Sequence, residues 1–259
     1  MATSNPAFSR NAAFGAPGAL ASSKALSDSD LQTMYDQPSA GSQDTERMTY
    51  EDTINKTGIA FVLLLVGAAV GWIFPILAIP AAIAGFVLGL VNTFKKEPSP
   101  GLILTFSVVQ GLFVGGISNI FETLYPGVVA QAVIATLVVV GVTLALFRSG
   151  KIRASKKATK IFTIAMVGYA AFSLINFFLT LAGIGGEFGL RSGPLGVVIG
   201  LLAVVMAAYS LVLDFDFVQK GVNNRAPRKY GWSAAFGIVL TVVWLYIELL
   251  RIFAILRGE

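Results

Sequence analysis

The sequence has no cysteine and no histidine. Without cysteine there are no disulfides, thiolate zinc sites, iron–sulfur clusters or thiol nucleophiles. Without histidine the commonest metal ligand and the usual proton carrier near neutral pH are missing. Any proton chemistry must run through carboxylates, lysine, tyrosine or water, and no resident metal or cofactor is expected. Charge is also scarce. Only 13% of the 259 residues are charged, against about 25% in an ordinary soluble domain. With 55% hydrophobic residues and a mean hydropathy of +0.75, a water-soluble domain and global disorder are both excluded. A polytopic membrane protein remains.

Enzyme signatures are missing too. Two aspartates inside apolar runs suggest an aspartyl intramembrane protease, but no Gly-x-Gly-Asp run follows. No lysine lies between Trp232 and Glu259 to carry a retinal Schiff base. Nucleotide-binding glycine loops are absent, and no catalytic activity is expected.

Residues 1–57 are rich in Ser, Ala, Asn, Gln and Asp, with Pro6, Pro17 and Pro38. Such a stretch buries too little apolar surface to offset its ordering entropy. It reads as a flexible cytoplasmic tail, with no apolar secretory core near Met1. Ser27 to Asp30, followed by Leu31, Met34 and Tyr35, suggest one capped helical turn. Thr49 is a candidate N-cap for a helix leading into the first span, with Glu51 and Asp52 in its first turn.

A transmembrane domain is expected over 58–257. Seven apolar runs occupy 58–74, 76–94, 101–121, 127–147, 161–182, 194–217 and 232–256, each near the roughly 20 residues a spanning helix needs. The weakest division is the first, around Pro75 and Pro80. Basic residues alternate. Lys95 and Lys96 follow span two, a cluster from Arg148 to Lys160 follows span four, and Lys220, Arg225, Arg228 and Lys229 follow span six. The other connections hold only Arg191, opposed by Glu187. This pattern predicts a cell-membrane protein with a cytoplasmic N-terminus and an external C-terminus. The net charge of +5 is therefore read as topology and contact with the lipid bilayer, not nucleic-acid binding. Gly67 with Gly71, Gly85 with Gly89, and Gly111 with Gly115 and Gly116 read as close helix packing.

Ionisable groups within spans carry the functional information, because each costs at least ~2.5 kcal/mol at a helix centre. Asp214 and Asp216 end span six. About 200° separates two residues at that spacing, so one should face the bundle and the other water or a basic loop residue. Glu248 and Arg251 share a face of span seven and suit an ion pair. Glu122, with Asn119 one turn before it, is either a cap or the outer mouth of a path. Tyr246, Tyr209, Tyr169 and the tryptophans read as packing or interfacial anchors.

Three stretches together resemble the Bax-inhibitor-1-like family (TMBIM, bacterial YccA-like), in a branch with a long polar N-terminal tail. They are the glycine-rich run 111–118 with Phe121 and Glu122, the span-six end 213–219, and the span-seven run 245–253. The resemblance implies seven transmembrane helices with the last one central. It also implies a pH-sensitive calcium leak, closed when acidic residues of the last two helices share a proton. By position those residues are Asp214 or Asp216 and Glu248. Two simple helices would separate Asp216 from Glu248 by about 20 Å in depth, so pairing needs a break near Gly237 or a deeper span six. The alternatives are a regulatory protein that binds another membrane protein, such as a protease or stress-response partner, and a secondary transporter.

Overall fold

The computed structural model describes residues 46–184, 186 and 188–258. The expectations for the turn near 27–35 and for the tail over 1–45 lie outside these residues, as does Glu187. The architecture is all-helical: α1 (Tyr50–Ile73), α2 (Ala78–Phe94), α3 (Pro100–Leu124), α4 (Val128–Arg148), α5 (Lys156–Leu181), α6 (Gly193–Asn223) and α7 (Tyr230–Gly258). All seven are long and apolar enough to cross a membrane, α2 together with the short 3₁₀ turn Pro75–Leu77 that precedes it. Pro80 lies in the first turn of α2, where a missing N–H leaves no intrahelical bond unmade.

Helix α1 starts at Tyr50, eight residues before the boundary drawn from hydropathy. Thr49 caps it by accepting a hydrogen bond from Asp52 N at 3.2 Å. Its polar first turns are held by the α6–α7 connection. Lys56 pairs with Asp52 and donates to Arg228 O at 2.7 Å, while Arg228 Nε donates to Asp52 at 2.8 Å. These partners let the helix run past its apolar stretch.

Glycine sets the closest helix contact. A Cβ placed on Gly115 would lie 1.9 Å from the Ala68 carbonyl oxygen, and one on Gly67 would lie 2.3 Å from the Val108 oxygen. Helices α1 and α3 therefore touch backbone to backbone. Lipid offers no hydrophobic drive for helices to associate, so this close approach is the source of their cohesion.

Helix α7 occupies the centre. It packs against α1, α3, α4 and α6. On its α4/α6 side, Leu245, Tyr246, Leu249 and Leu250 join Val128, Ala132, Ala207 and Leu211. On its α1/α3 side, Phe236, Val239 and Val243 join Ala60, Leu64, Ile103 and Phe106. Helix α5 is peripheral, and Asn176 is its one fully buried residue. Its apolar side chains, such as Val167 and Phe178, face outward as lipid requires.

Candidate functional site

The polar groups of α6 and α7 lie at three depths, set by the antiparallel packing of the two helices. Ser210 sits opposite Thr241, and Gly200 opposite Ile252. Helix α7 is continuous through Gly237, and α6 extends to Asn223. Its end is a tight turn in which Arg225 N donates to Val222 O and Ala226 N to Gly221 O. Arg225 adopts the left-handed conformation (φ 53°) that this helix cap requires and that glycine usually supplies.

At the basic-loop end, Asp216 pairs with Lys220 one turn along. A strap lies across this end of the bundle. Met48 N donates to Ala226 O, and Arg228 N to Glu46 O, both at 2.7 Å. The Met48 side chain is buried among Phe217, Val218, Tyr230 and Ala234. Hydrogen bonds from Arg228 to Asp52 and Glu46 raise its pKa above the ordinary arginine value, so it is cationic at every physiological pH.

Deeper in, Asp214 faces α7 and accepts a hydrogen bond from Thr241 Oγ1 at 2.7 Å; Ser210 Oγ is 3.3 Å from that same hydroxyl. Gly237 makes room, because a Cβ there would lie 3.0 Å from Asp214 Oδ1. The two aspartates thus diverge as their spacing requires.

Glu248 holds the third level and is only 3% exposed. Four groups converge on its carboxylate. Arg251 pairs from one turn along α7, and Tyr169 of α5 donates its hydroxyl. Arg191 donates to both oxygens, at 3.1 and 3.2 Å, and Trp244 Nε1 lies 3.3 Å away. Arg191 also donates to the Tyr169 hydroxyl and lies over its ring, 5.0 Å from the centroid.

Arg191 reaches this depth because the α5–α6 connection folds inward. Asn176 accepts from Leu190 N at 2.7 Å and donates to Phe188 O at 3.1 Å. Phe188 packs on Phe121 of α3. The fold of this loop requires glycine at 189, where φ is +64° and a Cβ would lie 2.7 Å from Asn176 Oδ1.

Glu122 caps α4. It accepts from Gly127 N at 2.7 Å and Val129 N at 3.1 Å, which is the capping alternative. Asn119 is half-buried one turn earlier. Tyr246 links α7 to α3 through a 2.6 Å contact with Ser118 Oγ.

A family model described as Bax inhibitor 1 like matches residues 5–258. The chain belongs to the Bax-inhibitor-1-like family. A search of curated proteins returns no match. In this Bax-inhibitor-1-like chain the proton-sharing carboxyl pair implied by the resemblance is not formed. Asp214 is bonded to Thr241 and Asp216 to Lys220, whereas Glu248 is held by two arginines and a tyrosine. The register of α6 against α7 separates Asp214 from Glu248 by about ten residues of helix, roughly 15 Å. No break at Gly237 shortens that distance. Sequence reasoning missed three members of the Glu248 cluster, Tyr169, Arg191 and Trp244. Tyr169 and Trp244 read as packing or interfacial anchors. Arg191 was a signal in hindsight, as the one basic residue among the connections otherwise free of them.

Proposed function

We propose that this Bax-inhibitor-1-like protein is a passive cation path, with calcium as the transported ion, and that the geometry described is its closed state. The observation that carries the reading is the buried Glu248 clamped by Arg191 from a loop and Arg251 from its own helix. One carboxylate between two guanidinium groups leaves a net positive charge. In a low-dielectric interior that charge opposes a passing cation far more strongly than it would in water. Arg191 is the member able to withdraw, because a loop carries it. Its departure would leave a neutral Glu248–Arg251 pair.

Asp214, with Thr241 and Ser210, supplies oxygen ligands nearer the basic loops. Among the described residues no three acidic side chains come together. A cation would therefore meet single carboxylates in passing, as conduction requires, and not a tight cage. Asp214 attracts a cation only when ionised, so the leak should fall as the pH is lowered. In this reading the Asp216 end faces the cytoplasm, as the distribution of basic residues supports, and the membrane is that of the cell. No catalytic step enters this reading.

The test is calcium flux into vesicles holding the purified chain. Arg191→Gln should raise the flux several-fold. Asp214→Asn should lower it and flatten its dependence on pH. Flux no greater than in empty vesicles, for parent and Arg191→Gln alike, would reject the reading. A second reading, regulation of a membrane-protein partner through the N-terminal segment, draws on the strap at 46–48. It predicts a phenotype lost on deleting residues 1–48 with flux unchanged.

A further inference from the structure

The Glu248 cluster has more positive charge than its described neighbours neutralise. Arg191 and Arg251 are each 8% exposed and share one carboxylate. The Nε of both is buried without a hydrogen-bond partner, as is Ser173 Oγ, one turn along α5 from Tyr169. Buried donors without acceptors are costly, more so when charged. Two guanidinium groups with unused donors are suited to a carboxylate or phosphate.

A cleft of about 270 Å³ opens to the lipid side between α5 and α6, beside this cluster. Ala165, Gly168, Tyr169 and Phe172 line it on α5, and Ile199 and Met206 on α6. Its lining is almost wholly apolar. Tyr169 joins the two regions, since its ring walls the cleft while its hydroxyl bonds Glu248 and Arg191. Along α5 the cleft spans Ala165 to Phe172, on both sides of Tyr169. A molecule with its charge at the arginines would lay its apolar part in this cleft.

We infer that Arg191 and Arg251, with the cleft between α5 and α6, form a binding site for a long-chain fatty acid, its carboxylate on the guanidinium groups and its tail along the cleft. A single-chain carboxylate matches the single positive charge left over, and a membrane supplies it by lateral diffusion. The inference does not depend on the leak, because binding is measured without an ion gradient.

The test is equilibrium binding of radiolabelled oleate to the full chain in phosphatidylcholine nanodiscs, with empty discs and oleyl alcohol as references. Saturable binding of one oleate per chain is expected, with oleyl alcohol no better retained than by empty discs. Arg191→Gln and Arg251→Gln should each weaken oleate binding by roughly tenfold, the loss of one charge-assisted contact. Gly168→Leu fills the cleft and leaves the arginines in place. A Cβ at Gly168 meets nothing within 4 Å, so this variant should fold and still lose binding. Equal oleate binding by parent and all three variants, or oleate uptake no greater than in empty discs, would overturn the site. Displacement of oleate by acetate as effective as by a second long-chain acid would overturn the assignment of the tail to the cleft.

Discussion

Glu248 and Arg191 are both buried and charged, yet removing them should have unequal effects. Glu248→Gln leaves two guanidinium groups together without a counter-charge. Breaking a buried pair in this way costs about 3–5 kcal/mol. Arg191→Gln leaves the Glu248–Arg251 pair neutral and should cost clearly less. Denaturant titration of both variants in micelles checks the order, and equal losses would mean that Arg191 does not share the carboxylate. The acidic half of this site was legible in the sequence, because charges are rare in apolar helices. So was the Glu248–Arg251 contact, which lies within one helix turn. Arg191 and Tyr169 were not legible. They reach Glu248 across 57 and 79 positions of chain, and no helical period encodes such a contact. The likeness of the carboxylates to a proton-sharing pair fixes residue type but not depth, and helix rise alone already set Asp216 and Glu248 about 20 Å apart.

At the scale of elements, hydropathy located all seven helices. It placed their ends less well, since caps and loop partners, not apolarity, decide where a helix stops. α1 begins at Tyr50 because Thr49 caps it and Arg228 accommodates its polar turns. α6 runs on to Asn223 because Arg225 takes a conformation that only a glycine would have announced. The glycine spacings were legible as packing, although not which helices they join. Gly115→Leu should separate α1 from α3, at a cost of roughly 1–3 kcal/mol or more for forced overpacking. Thermal unfolding should register it, whereas Gly141→Leu on the lipid face of α4, where a Cβ meets nothing within 4 Å, should be near neutral. The loop that carries Arg191 depends on Asn176. Asn176→Leu removes both of its loop hydrogen bonds and should imitate Arg191→Gln in flux while leaving the arginine itself in place.

At the scale of the whole molecule, a central α7 carries the buried charge while peripheral helices and one inward loop enclose it. Its polar groups are spread over depth: Asp216 at the basic-loop end, Asp214 further in, and Glu248 with its arginines beyond. For the proposed path, that separation favours closure by a positively charged clamp over closure by two carboxyl groups sharing a proton. The strap formed by Glu46 and Met48 lies against the basic-loop ends of α6 and α7, the same helices that bear the acidic groups. Calcium flux through reconstituted Arg191→Gln, compared with parent across a range of pH, tests this arrangement most directly. A several-fold rise that persists at high pH and declines on acidification is the predicted result. Flux unchanged from parent at every pH would contradict the clamp.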